Sequence, residues 1–177
     1  MSESEASHIR VAVLGKNIYI RPSGYATQSV SLGVPDFLEA MFREGCTSVT
    51  FDLRDCRGMD STFLGVIAAA AMSRAHGGQK AVVILNADER LVHELRMVGL
   101  LPLVAVRKRA CEPPKDLQLS PIDFIHLPRD ERERLLRIKH LHQELLKLNE
   151  ANERRFAGFV DMLEEELQQP DGKENGG

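Results

Sequence analysis

The 177-residue chain contains no tryptophan, only two tyrosines and three cysteines. The cysteines, Cys46, Cys56 and Cys111, form no C-x-x-C pair, so the sequence predicts neither a disulfide framework nor a cysteine zinc site. No apolar run approaches the roughly 20 residues of a membrane-spanning helix, and the longest covers residues 63–72. The polar, acidic start M-S-E-S-E-A-S-H lacks the basic and apolar regions of a secretory signal. We therefore expect a cytoplasmic protein without direct membrane insertion.

The chain also lacks an excess of positive charge, since its formal net charge is −3. Acidic and basic residues balance over residues 1–127, and acidic residues prevail over residues 128–177. A protein that binds a nucleic-acid backbone needs clustered Lys and Arg, whereas the one dense basic run here is Arg107-Lys108-Arg109. A short run of this kind is typical of a solvated strand end, so we expect no nucleic-acid partner.

The hydrophobic residues, 43% of the chain, are arranged in short periodic segments. Their spacing predicts strands at residues 11–14, 17–21, 48–53, 81–85 and 103–106, and helices at residues 35–44, 61 to about 76, and 88–98. Residues 22–24, P-S-G, have the composition of a turn. Strand and helix alternate from residue 48 onward, which predicts an α/β fold with a small mixed β-sheet packed by helices.

Four prolines between residues 110 and 128 divide the chain into two structured parts. The predicted organisation is a disordered N-terminus (residues 1–7), an α/β domain (residues 8–107), a proline-rich linker (residues 108–128), a long amphipathic helix (residues 129–168) and a disordered tail (residues 169–177).

The long helix carries an apolar seam, Ile138, Leu141, Leu145 and Leu148, at the 3-4-3 spacing of a coiled coil. Asn152 takes the next position of this seam. Such a seam favours a homodimer through the C-terminal helix, but it also suits an amphipathic helix that folds back over the domain or onto a partner. The sequence leaves these alternatives open.

The segment F-D-L-R-D-C-R-G-M-D-S-T-F-L-G, residues 51–65, joins a strand to an apolar helix through a polar loop. Ser61 is predicted to be the N-cap of this helix, because a serine hydroxyl accepts hydrogen bonds from first-turn N–H groups. Gly65 costs the helix roughly 1 kcal/mol relative to alanine. That cost indicates that a strand, or a partner, approaches the helix closely at Gly65.

Metal-binding and catalytic patterns are weak throughout the sequence. His140 and His142 do not share one face of a helix, so we predict no metal site. Cys56 lies between Arg54 and Arg57, which could lower the pKa of its thiol. No histidine lies nearby in the sequence to act as a base, and we therefore predict that the protein is not an enzyme and needs no cofactor.

The strand, D-L, loop and M-D-S-T-F-L-G-V segment resembles the signature of the STAS domain, which anti-sigma-factor antagonists and sulfate-transporter tails share. The matching residues are Asp52, Leu53, Met59, Asp60, Ser61, Thr62, Leu64, Gly65 and Val66. The order of elements over residues 1–107 also follows that family. Two positions depart from its pattern, since Phe63 replaces a small glycine and no acidic residue stands beside Gly24.

The resemblance implies a regulator that switches partners. A serine kinase that is also an anti-sigma factor would phosphorylate Ser61, with Thr62 as second choice, and a phosphatase would reverse the modification. The partner-binding residues implied are Asp60, Ser61, Thr62, Phe63, Leu64 and Gly24. Two other functions remain open: a STAS subunit that docks on the ATPase of a lipid-type membrane ABC transporter, and a scaffold protein of a stress-signalling assembly.

Overall fold

The structure is a computed structural model that describes residues 6–74, 80–107, 112, 114–122 and 128–169. The strands are β1 (His8–Leu14), β2 (Asn17–Ala26), β3 (Ser48–Asp52), β4 (Cys56–Met59), β5 (Val82–Leu85), β6 (Ala105–Arg107) and β7 (Ser120–Pro121). The helices are α1 (Gln28–Ser31), α2 (Val34–Arg43), α3 (Ser61–Ser73), α4 (Glu89–Met97), α5 (Glu131–Leu146) and α6 (Glu150–Gln168).

The strands form one mixed sheet in the order β6-β5-β3-β2-β1-β7, and β4 pairs with β2 outside this path. β1 is antiparallel to β2 and β7, whereas β2, β3, β5 and β6 run parallel to one another. Gly15, at φ 61°, turns the chain between β1 and β2. The prediction of an α/β fold with a mixed sheet is thereby confirmed.

Helix α3 lies deep in the domain because it is apolar on almost every side. The side chains of Phe63, Val66 and Ile67 are at most 1% exposed. The ring of Phe63 meets that of Phe51 from β3 edge to face, with 5.9 Å between centroids. This packing fixes the start of α3 beside the end of β3, where the polar loop of residues 54–60 begins.

Two local predictions were wrong around this loop. Residues 22–24 do not end β2, which continues to Ala26 with a shift of register between Gly24 and Tyr25. The left-handed backbone of Gly24, at φ 74°, accommodates that shift. The segment predicted to be an irregular loop also contains a short strand, β4, which runs parallel to the extended part of β2.

The predicted linker is not wholly irregular either. Ser120 and Pro121 form β7 and pair with Val11 and Arg10 of β1, which adds an edge strand to the sheet. The disordered ends that we predicted lie almost entirely outside the described residues. Ser7 is described, and its hydroxyl accepts a hydrogen bond from the amide of Tyr25 at 2.9 Å.

The predicted single helix over residues 129–168 is interrupted. It divides into α5 and α6 at residues 147–149, where the Asn149 side chain caps α6 by accepting from the amide of Asn152 at 2.9 Å. The two helices form an antiparallel hairpin, in which Lys139 pairs with Glu164 at 2.8 Å. None of the helices in the described part of the chain is long and apolar enough to span a bilayer.

Candidate functional site

The candidate site is the N-terminus of α3, and Asp60 caps this helix. The Asp60 carboxylate accepts from the amide of Phe63 at 2.9 Å with one oxygen and from the amide of Gln28 at 2.6 Å with the other. Ser61 was predicted to be the cap, but it is the first residue within the helix. Asp60 therefore joins α3 to α1, and the hydroxyl of Ser61 is left for another role.

The hydroxyl of Ser61 contacts a histidine from the C-terminal hairpin. Its oxygen lies 2.9 Å from Nε2 of His142, although the two residues are 81 positions apart. The other ring nitrogen, Nδ1, lies 2.9 Å from the carbonyl oxygen of Ile138. A carbonyl only accepts hydrogen bonds, so Nδ1 carries the proton of the neutral ring. The hydroxyl of Ser61 then donates to Nε2.

The surroundings of His142 keep its ring neutral. The side chain is 2% exposed, and the rings of Phe156 and Phe159 from α6 lie 5.9 and 4.7 Å from it. Burial lowers the pKa of His142, and the Ile138 carbonyl and the Asp60 carboxylate only partly offset this effect. The contact with Ser61 is therefore a hydrogen bond between neutral groups at neutral pH.

Helix α5 lies directly on α3 at Gly65. A Cβ atom added to Gly65 would meet the carbonyl oxygen of Leu141 at 2.6 Å and its carbonyl carbon at 2.9 Å. Only glycine admits the backbone of another helix this closely. Gly65 does mark a close approach, but the approaching segment is a helix of the same chain, and not the strand or partner that the sequence predicted.

Polar contacts fix the hairpin at three further places. Arg137 of α5 donates to Asp36 of α2 at 2.6 Å and to the carbonyl of Leu32 at 2.5 Å. Asn152 of α6, which is 1% exposed, donates to the carbonyl of Val98 at 2.9 Å. The seam residues Leu141 and Leu145 are fully buried against the domain. The apolar seam that suggested a coiled coil is thus occupied within the monomer.

The structure does not bring all the predicted partner-binding residues to one surface. Thr62, Phe63 and Leu64 are 3%, 0% and 7% exposed, so none of them offers a contact surface in this structure. Gly24 is part of the wall of a cleft at the end of β2, and residues 60–64 take no part in that wall. Asp60 and Ser61, both half-buried, are the two predicted residues that share one site.

The cleft beside Gly24, of about 510 Å³, is strongly basic. Its walls include His8, Arg10, Arg21, Arg54, Asp55 and Arg57. Asp52, 3% exposed at the end of β3, accepts from Arg21 at 2.8 Å and from Arg54 at 2.9 Å. These ion pairs hold the polar loop against β2.

Cys56 also lines this cleft, and its environment does not activate it. Burial raises the pKa of the Cys56 thiol above its ordinary value, although backbone hydrogen bonds with Gly58 and Ala26 oppose the rise. The prediction that Arg54 and Arg57 lower this pKa was wrong, because desolvation by burial is the largest effect on the thiol. In the described part of the chain, no three histidine, cysteine or acidic side chains come together as a metal site would require.

Sequence reasoning missed His142, the histidine that contacts Ser61. A serine bonded to a neutral histidine is an arrangement that nucleophilic enzymes use, but they also orient the ring with a third group, commonly a carboxylate. Here that third group is the Ile138 carbonyl of the same helix. The one hint in the sequence was Gly65, which indicated a close neighbour of α3 without identifying it.

The sequence matches no described protein family and no curated protein. The fold is similar to the solved structure of the anti-sigma factor antagonist SpoIIAA in its unphosphorylated form, with a TM-score of 0.49 and 12% identity over 58% of this chain and 89% of that one. It is also similar to the Bacillus cell fate determinant SpoIIAA in the phosphorylated form, with a TM-score of 0.46 and 15% identity over 56% and 90% of the two chains. These likenesses concern the fold alone, at low sequence identity.

Proposed function

We propose that this chain is a non-enzymatic regulator of the anti-sigma-factor-antagonist type, which changes partners when Ser61 is phosphorylated. The proposal rests on the M-D-S-T-F-L-G-V segment, residues 59–66, and on the place of Ser61 as the first residue of α3. The unphosphorylated form binds an anti-sigma factor that is also a serine kinase, and a phosphatase restores that form.

The N-terminus of α3 suits a phosphorylated side chain. A phosphate adds about −1.5 to −2 charges at pH 7. The N–H groups and dipole of a helix N-terminus stabilise an anion, and the Asp60 side chain uses the amide of Phe63 alone among those of the first turn. The modified domain therefore keeps its fold, while the added charge beside Asp60 weakens an interface that formed with the neutral serine.

The test starts from partners captured with the full-length chain. A captured kinase of the histidine-kinase-like ATPase class is incubated with wild-type protein and with Ser61→Ala, Thr62→Ala and Ser29→Ala, and intact masses are measured. Phosphate is expected on wild type and on the controls, Ser29→Ala at an exposed serine and Thr62→Ala, but not on Ser61→Ala. Phosphate retained by Ser61→Ala and lost from Thr62→Ala would move the site to Thr62.

Binding measurements complete the test. Ser61→Asp introduces a charge at the interface and is expected to weaken binding of the kinase at least about tenfold, a loss of about 1.4 kcal/mol. Ser61→Ala is expected to bind like the unphosphorylated protein. Equal affinities of Ser61→Asp and wild type, together with an absence of phosphate on Ser61, would contradict the proposal.

One observation favours the alternative of a subunit that docks on a transporter ATPase. The hydroxyl of Ser61 is already bonded to His142, and such a subunit has no need of an accessible phosphoacceptor. Capture of a transporter ATPase, with affinity that is indifferent to Ser61→Asp, would support this function instead.

A further inference from the structure

We propose that the α5–α6 hairpin is a displaceable cover over the partner-binding face of α3, and that Ser61 reaches a kinase or partner only after the hairpin has left. The inference rests on the proposed function for its biological meaning, because it concerns the same serine. Its test below uses no kinase and no partner, so the two can fail separately.

His142 of the hairpin covers the hydroxyl of Ser61. The serine oxygen lies 2.9 Å from Nε2 of His142, which is hydrogen-bond distance. A phosphoryl group does not fit between these two atoms unless the ring is displaced. The ring is held by Ile138 on its own helix and by the ring of Phe159 on α6. Because the ring is also 2% exposed, it has little room to turn aside while the hairpin stays docked.

The hairpin also contacts α3 at Gly65, one turn further along the helix. The carbonyl of Leu141 occupies the space where any other residue would place its Cβ atom. Glycine weakens the interior of a helix. Because a second helix occupies the space beside Gly65, we take this glycine to be the docking site of that helix. Ser61 and Gly65, spaced by four residues, lie on the same face of α3.

The surface that α5 presents to α3 also indicates the chemistry of the external partner. Helix α5 presents to α3 a leucine backbone at Gly65, a neutral hydrogen-bond acceptor at Ser61 and buried leucines along one side. A partner that docks on the same face is then an amphipathic helix of this kind, and it competes with α5. Its apparent affinity is reduced by the fraction of molecules in which the hairpin is closed.

The hairpin is separable from the sheet, because the sheet is complete before the hairpin begins. The six-strand path and β4 are formed by residues before 122, and α5 and α6 contribute no strand. Ile138 and Leu163 form a small apolar cluster with Leu32, apart from the main core. Leu141 and Leu145 join the main core from outside the sheet.

The test uses the full chain and a pair of matched glycine substitutions. Gly65→Ala places a methyl group 2.6 Å from the Leu141 carbonyl oxygen, whereas Gly158→Ala on α6 has nothing within 4 Å of the new Cβ atom. Both changes raise helix propensity by the same amount, so they differ in their effect on the docking of α5 at Gly65.

Accessibility of position 61 is measured with Ser61→Cys in a Cys111→Ser background, since the native Cys46 and Cys56 are buried. Alkylation by iodoacetamide at position 61 is followed by peptide mass spectrometry. We expect at least a tenfold higher rate when Gly65→Ala is added and no change when Gly158→Ala is added. Hydrogen exchange of residues 131–146 should rise with Gly65→Ala, while exchange in β3 stays as in the parent protein.

Equal alkylation rates in all three proteins would overturn the inference. Loss of protection in β3 together with α5 would also overturn it, because the hairpin would then be part of the folding core and not a cover. If Gly65→Ala opens position 61 but the kinase still leaves Ser61 unmodified, the cover stands and the proposed phosphorylation alone fails.

Discussion

The sheet domain and the C-terminal hairpin bury their apolar residues in different ways. Nine of the 13 residues of α3 are buried, in a helix that is apolar on nearly all sides. Five of the 16 residues of α5 and five of the 19 residues of α6 are buried, and they lie along narrow seams. The domain is therefore held by continuous packing, and the hairpin by one seam and a few polar contacts.

This difference predicts different effects for a substitution in the domain and for one in the hairpin. In the domain, a lost side chain leaves a cavity within one cooperative core, so the whole fold is weakened. In the hairpin, removal of one seam residue weakens docking and leaves the sheet with all its strands. Variants that are matched in chemistry but placed in different regions can separate the two effects.

The largest effect is expected from Phe63→Ala in the domain. Phe63 is 0% exposed and contacts Phe51, so its truncation should lower the free energy of unfolding by about 3–5 kcal/mol. Phe159→Ala, at a ring that is 37% exposed on α6, should cost about 1 kcal/mol. Urea denaturation followed by circular dichroism measures both. Similar losses for the two variants would show that domain and hairpin form one core.

The domain was the part that the sequence predicted well. Helices α2 and α4 begin and end within one residue of their predicted limits, because proline, aspartate and glycine mark their ends locally. Strand β4 was missed because C-R-G-M has no alternating pattern, and it forms only through its pairing with β2. Both Asp60 and Ser61 are good cap residues, and the contact between Asp60 and Gln28 decides between them.

The hairpin and its contact with the site were not predictable in the same way. The break at residues 147–149 contains no glycine or proline, and it coincides with Asn149 and Asn152 reaching the carbonyl of Val98. The contact between Ser61 and His142 joins residues from opposite parts of the chain. The spacing of hydrophobic residues within a short segment carries no information about such pairs, since they depend on where the hairpin docks.

The second largest effect is expected from Leu141→Ala in α5. Leu141 is fully buried over Gly65, so its truncation should weaken hairpin docking by about 3 kcal/mol. Hydrogen exchange should become faster in α5 and α6 and remain slow in β3 and β5. Leu136→Ala, at a leucine of the same helix that is 48% exposed, is the matched control and should change little. Faster exchange in β5 would contradict the separation of hairpin and domain.

A smaller effect is expected at the start of α3. Asp60→Ala removes the cap and the contact with Gln28, and should cost about 1–2 kcal/mol of stability. Ser61→Ala keeps the cap but leaves Nε2 of His142 without its donor, at a cost of about 1 kcal/mol. Thermal denaturation ranks the two variants. A greater loss for Ser61→Ala would mean that Ser61, and not Asp60, contributes the cap.

The smallest effect is the dependence of hairpin docking on pH. Burial lowers the pKa of His142 in the docked state, whereas in a released hairpin the ring has its ordinary pKa of about 6.5. The released form therefore binds a proton more readily, and acid favours release. Docking should be constant above about pH 6.5 and weaken by at most about 1.4 kcal/mol for each pH unit below it, until the docked ring itself is protonated.

The measurement is hydrogen exchange of residues 131–146 at several pH values, corrected for the intrinsic pH dependence of exchange. The groups that contact or act on the ring are the Ile138 carbonyl, the Asp60 carboxylate, the Ser61 hydroxyl and the rings of Phe156 and Phe159. Asp60 is the charged group among them and favours the protonated ring, so Asp60→Asn should lower the pKa of the docked ring further and extend the loss of docking to lower pH. His142→Gln, which does not titrate, should remove the dependence on pH. The same acid-induced loosening in His142→Gln would assign it to another group and leave His142 with a packing role alone.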